Sequence, residues 1–177
     1  MKAMAMVAHP DVCVIFAYSF IHHYPMFDWT VCYLTYTEQD PRGREFADFW
    51  LRRNTKTKFL GFTDDWEFVK NGKLGFESAQ AVDAIKEAIA DQDLILTHDH
   101  LGDYGHLHHK FIHDVVCNNH TYMVCFAGIG KGNVKYTIES DTYSLDEFPL
   151  HRDIVASFHQ TQHANEYTVS ERVKNIL

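Results

Sequence analysis

Short apolar runs alternating with longer amphipathic segments predict an α/β fold built on a mostly parallel sheet. Two observations carry this reading. The run Ala3–Ala8 is apolar at every position, as a strand covered on both faces should be, and the segments between such runs place apolar residues at helical spacing. At 177 residues the chain has the size of one domain with one substantial core, so residues 1–177 are read as a single domain. Apolar residues make up 46% and charged residues 23%, which places the chain among folded globular proteins and not among disordered ones.

The elements follow in order. Ala3–Ala8 is the first strand, ended by His9-Pro10. Thr30–Thr37 (TVCYLTYT) is β-branched and aromatic and predicts a second strand. Arg42–Arg53 predicts a helix with Phe46, Phe49 and Trp50 on one face, and Lys58–Phe62 a third strand. Ser78–Asp91 aligns Val82, Ile85 and Ile89 in a helical stripe with Ser78 as its cap. Asp93–Thr97 predicts the next strand, His106–Asn118 a helix, Tyr122–Gly128 a buried strand closed by glycine, and Phe148–His163 a last helix. Residues 63–77 and 130–145 read as loops.

A net charge of -8 without a Lys/Arg run excludes a nucleic-acid footprint, and the basic residues within Arg42–Lys58 read as a solvated helix face. Cys13, Cys32, Cys117 and Cys125 have no CxxC spacing and read as buried thiols of a reducing compartment. Met1–Ala8 is too short for a signal sequence, and no run approaches the ~20 apolar residues of a membrane span. A cytoplasmic protein without membrane insertion is expected, and a homo-oligomer stays open.

Open α/β sheets bind ligands beyond the carboxyl ends of their strands. Two such ends are rich in chemistry: His9-Pro10-Asp11 after the first strand, and Thr97-His98-Asp99-His100-Leu101-Gly102-Asp103-Tyr104-Gly105-His106-Leu107-His108-His109 after a later one. At ~100° per residue, His106, His109 and His113 fall within an arc of about 60°, apart from the packing face of Phe111, Ile112, Val115 and Val116. A lone histidine is usually structural, but three on one face opposite His9 and Asp11 suit zinc ligation or proton transfer near neutral pH.

AHPD after a buried strand, then THxxLGxYGHxxH, resembles the LmbE/PIG-L family of N-acetylglucosaminide deacetylases, whose pattern is AHPDD and GHxDH. Arg42-Gly43-Arg44-Glu45 is similar to the family's RxxE, Leu60-Gly61-Phe62-Thr63-Asp64 to its LGxxD, and Phe158-His159-Gln160-Thr161-Gln162 to its closing H-x-S/T-Q. The resemblance implies a Rossmann-like three-layer α/β/α sandwich and a hydrolase that uses zinc, or another divalent metal, to remove an N-acetyl group from a small amino sugar or related amide. It makes His9 and His109 metal ligands and Asp11 the general base. His106 would protonate or stabilise the tetrahedral intermediate, Tyr104 would polarise the acetyl carbonyl, and Arg42 and Asp64 would touch sugar hydroxyls.

Two positions depart from the pattern. Val12 stands where the family's second aspartate ligates metal, and His108 stands where it has another aspartate. Valine has no donor atom, so either a substitute ligand exists among Asp11, His98, His100, His108 and His113, or the metal is lost and the chain is a carbohydrate-binding module of the same fold. Trp29, Trp50 and Trp66 are candidates for lining a sugar site, with core burial the competing role. Gly128-Ile129-Gly130-Lys131-Gly132 matches neither phosphate-loop pattern and reads as a glycine-rich turn, and the first strand lacks a dinucleotide fingerprint.

Overall fold

The structure, a computed structural model, describes residues 1–126, 136–138, 143–159, 166–169, 173 and 176–177. Its elements are β1 (Lys2–Val7), α1 (Pro10–Val12), a π-helical segment (Cys13–Ala17), α2 (Tyr18–His23), β2 (Asp28–Thr35), α3 (Pro41–Leu51), β3 (Lys56–Phe62), α4 (Trp66–Lys70), α5 (Ser78–Ile89), β4 (Leu94–Thr97), α6 (Leu107–Asn119), β5 (Met123–Phe126), β6 (Tyr136–Thr137), a 3-10 turn (Leu145–Glu147), α7 (Arg152–His159) and β7 (Glu166–Val169).

The strands form one sheet in the order β3-β2-β1-β4-β5-β7-β6. β1 to β5 pair in parallel, and β7 runs antiparallel to both of its neighbours. The alternation of strand side chains divides the core into two layers. Ala3, Ala5 and Val7 of β1 join Val31, Tyr33, Leu94 and Leu96 beneath the π-helical segment, α2, α3 and α7. Met4 and Met6 join Cys32, Leu34 and Ile95 beneath α5 and α6. This is the expected α/β/α sandwich, with β1 buried on both faces because helices cover both.

Several elements differ from the sequence reading. The stretch Pro10–Ile21, left unassigned by periodicity, is a helical path buried along its length, and its apolar residues all round erase the polar face that a helical stripe needs. Glu77, not Ser78, caps α5, its carboxylate accepting from the Ala79 N–H. The predicted loop at 63–77 holds α4, capped by Asp65. α7 begins at Arg152, whereas Phe148 ends the 3-10 turn as a fully buried plug. β6 and β7, of two and four residues, are too short to carry a period. Gly128–Gly132 and residues 160–163 lie outside the described residues.

Candidate active site

At the carboxyl edge the sheet order reverses between β1, which continues toward β2, and β4, which continues toward β5. That divergence opens the crevice in which such sheets bind ligands. β1 delivers His9 and Asp11, β3 leads to Asp64, the N-terminus of α3 presents Arg42, the β4–α6 connection supplies Asp103, Tyr104 and His106, and the first turn of α6 supplies His108 and His109.

His9 is the hub. Its Nδ1 lies 3.3 Å from His109 Nε2, and its Nε2 lies 3.3 Å from His108 Nδ1 and 3.4 Å from Asp64 Oδ1. His106 meets the His9 ring edge-on at a centroid distance of 4.7 Å. The partners fix the tautomers. The Leu74 carbonyl accepts from His108 Nε2, so His108 Nδ1 carries the lone pair. His106 Nδ1 accepts the His108 backbone N–H as the cap of α6, so its proton is on Nε2. His109 Nδ1 and His98 Nδ1 both donate to Asp103 Oδ2, and His98 Nε2 accepts the Ala8 N–H. The compact group His98, Asp103 and His109 is therefore a saturated hydrogen-bond cluster that orients His109 and the backbone before His9.

A second relay runs along the opposite wall. Arg42 donates through Nη2 to Asp11 Oδ1 and through Nη1 to the Tyr36 hydroxyl at 2.8 Å, and that hydroxyl donates to Asp64 Oδ2 at 3.1 Å. Tyr36 and Asp103 both sit in the left-handed backbone region, with φ of 65° and 61°, conformations that cost energy in non-glycine residues and recur at functional sites. Asp99 stabilises the loop by accepting the Leu101 and Asp103 N–H groups. Gly102, at φ 71°, has no room for a side chain, since a Cβ there would stand 2.7 Å from the His106 carbonyl oxygen.

Burial, reinforced by neighbouring His9 and His108, pushes His106 down to about 3, so it is neutral at pH 7. Burial also lowers His108 and His109. Asp64 is held well below its ordinary value: burial opposes ionisation, but the His9 hydrogen bond and the His9 and His108 rings outweigh it. Burial raises the Tyr104 phenol, with Asp11 and Asp103 adding to the effect, so it stays protonated.

The structure gathers Asp11, Arg42, Asp64, Tyr104, His106, His9 and His109 around this pocket and adds His108, Tyr36 and Asp103. The predicted histidine face is corrected at two positions. His113 faces away and binds the His98 carbonyl at 3.0 Å, while His108, one residue off that face, is fully buried against His9. His106 has extended backbone and precedes the helix, so the wheel does not describe it, and His113, one turn beyond His109, reaches the His98 carbonyl and not the pocket. Arg42 is no part of a solvated face, and Arg53 pairs with Glu147 through two bonds. Trp29 and Trp50 are core residues, whereas Trp66 is 65% exposed and lines, with Tyr104 and His106, an open groove of about 410 Å³ beside the pocket.

The donor set fits a divalent metal. Two nitrogens on a tetrahedral zinc stand about 3.3–3.4 Å apart, the separation found on both sides of the His9 ring. Val12 is 1% exposed within the core cluster and offers nothing to an ion.

No family model and no curated protein matches the sequence. Solved structures do. The zinc-inhibited form of teicoplanin deacetylase Orf2 superposes with a TM-score of 0.55 at 11% identity, covering 92% of this chain and 85% of that one. The N,N'-diacetylchitobiose deacetylase of Pyrococcus horikoshii gives 0.52 at 12% identity, covering 91% and 70%. GalB, the 4-carboxy-2-hydroxymuconate hydratase of Pseudomonas putida, gives 0.54 at 13% identity over 71% of this chain, which spans 65% of the hydratase. At these identities the likeness shows the fold, and the same fold serves deacetylases and a hydratase.

Proposed function

We propose that this protein is a metal-dependent hydrolase that removes an N-acetyl group from an amino sugar or a related small amide. The observation that supports it is His9 placed between donor atoms at both ring nitrogens, in one pocket with the Asp11 carboxylate and the neutral His106. His9 would hold the metal, and the resemblance implies His109 as its partner. When bound, a divalent metal lowers the pKa of water and polarises the amide carbonyl.

The protein's own groups divide the remaining work. Asp11, anchored by Arg42, accepts the proton of the attacking water. His106 keeps its Nε2 proton at neutral pH and gives a hydrogen bond that stabilises the oxyanion of the intermediate, while Asp11 passes the proton taken from water to the leaving amine. The protonated Tyr104 hydroxyl donates to the acetyl oxygen. Arg42 and Asp64 meet sugar hydroxyls, and the exposed Trp66 offers an aromatic face to the ring.

Release of acetate from N-acetylglucosamine and its glycosides, measured before and after chelation and metal reloading, tests this. The metal-loaded protein should release acetate, and Asp11→Asn should lower the rate by about 10²-fold or more. The apolar Val12 favours one other reading, a sugar-binding module without catalysis. Sugar binding that ignores chelation, with no acetate released under any loading, would establish that reading instead.

A further inference from the structure

With His9 and His109 as the ligands that the resemblance implies, the metal would lie on the Nδ1 side of His9, which His109 Nε2 faces, and Val12 takes the place of the third ligand. The candidates to replace that ligand behave differently in the folded chain. His98 has spent both ring nitrogens on the Ala8 N–H and on Asp103. His113 is turned to the His98 carbonyl, and His100 is exposed, facing His113 at a ring distance of 6.2 Å. Asp11 is paired with Arg42. His108 does reach His9, but at the opposite nitrogen.

That opposite side holds a complete donor set. His9 Nε2, His108 Nδ1 and Asp64 Oδ1 are separated by 3.3, 3.4 and 3.7 Å, close to the edges of about 3.3–3.5 Å that nitrogen and oxygen ligands span on a tetrahedral ion. Three protein donors are the number that a catalytic zinc site uses. We infer that the divalent metal binds on the Nε2 side of His9, held by His9 Nε2, His108 Nδ1 and Asp64 Oδ1, and not between His9 and His109. This rests on the reading of the pocket as a metal centre proposed above.

The surrounding hydrogen bonds serve this placement without rearrangement. His108 Nε2 stays on the Leu74 carbonyl, which leaves the Nδ1 lone pair for the ion. His9 Nδ1, freed from ligation, donates to His109 Nε2, and His109 Nδ1 donates to Asp103. A carboxylate–imidazole–imidazole relay then orients the ligating ring, the support that metal-bound histidines ordinarily receive. This placement moves Asp64 from the sugar contact proposed above to metal ligation: Oδ1 takes the ion and Oδ2 keeps its bond from Tyr36, so Arg42 is left to meet the substrate. His106, whose Nδ1 is spent on capping α6, stays a hydrogen-bond donor and not a ligand. The two departures from the family pattern thus compensate: the carboxylate lost at Val12 is replaced by the imidazole gained at His108, with the ion moved across the His9 ring.

The test is an anomalous difference map of crystals of the zinc-loaded full chain, with calorimetric zinc titrations of native protein and variants. The expected peak lies about 2.0–2.2 Å from His9 Nε2, His108 Nδ1 and Asp64 Oδ1. His108→Gln retains an amide N–H for the Leu74 carbonyl but removes the ligand nitrogen, and it should weaken zinc by at least about 100-fold. Asp64→Asn should do the same, with melting curves of the zinc-free variants checking that they fold. A peak between His9 Nδ1 and His109 Nε2, or native affinity in His108→Gln, would overturn the relocated site and leave the deacetylase reading standing. No zinc uptake by the native protein would overturn both.

Discussion

Asp103 accepts from His98 and His109 together through Oδ2 and from the Asp99 N–H through Oδ1, and it does so from a left-handed backbone. Both imidazoles are fully buried, so neither can exchange this acceptor for water. Asp103→Ala should cost about 1–3 kcal/mol for each donor left unpaired, read from the urea midpoint of the metal-free protein. An unchanged midpoint would mean that the cluster does not hold the loop. Asp103 and Tyr36 escaped the sequence reading for one reason. Asp103 stands in a run of histidines and Tyr36 at the end of a strand, and neither its φ nor its partner is encoded by spacing. His9 and Asp11 were legible because they directly follow a strand, and His106 and His109 because they recur at i and i+3 in the histidine-rich run that follows a later one.

Among the elements, α3 is set by contact as much as by propensity. Gly43 lies in its first turn, where alanine ordinarily stabilises a helix by up to ~1 kcal/mol. Here a Cβ would stand 2.0 Å from the Thr37 carbonyl oxygen, a backbone atom that cannot give way cheaply. Gly43→Ala is therefore expected to destabilise, by about 1–3 kcal/mol, with a melting midpoint several degrees lower. It should also displace the neighbouring Arg42 from Asp11. A raised melting midpoint would show that α3 can shift freely. The RGRE segment suggested a helix start and a functional arginine, but the close approach that requires glycine comes from the β2–α3 connection folding back on the helix.

At the scale of the molecule, β1 joins the two core layers, sending alternate side chains into each. A strand shared in this way couples the layers, so they should unfold together. Cys13 lies in one layer and Cys32 in the other, and burial pushes both thiols up, Cys32 to about 12. At pH 8 both are protonated and inert in the native state, while the exposed Cys117 is open to reagent. Pulse alkylation across a urea series should label Cys13 and Cys32 at one midpoint, shared with tryptophan fluorescence. Labelling of Cys13 while Cys32 stays protected would show that the layers separate.

The sequence by itself determined the α/β class, the places of the first five strands along the chain and the rim where the chemistry gathers. Each of these follows from local periodicity and from where apolar runs end, and both are properties of neighbouring residues. Only the tertiary structure decided that Pro10–Ile21 is helical, that a reversed strand completes the sheet, and that His108 rather than His113 enters the pocket. A segment apolar all round carries no period, and a two-residue strand is defined only by its partner. The direction of the His108 ring depends on the Leu74 carbonyl, 34 positions away along the chain, which reaches it only once the molecule has folded.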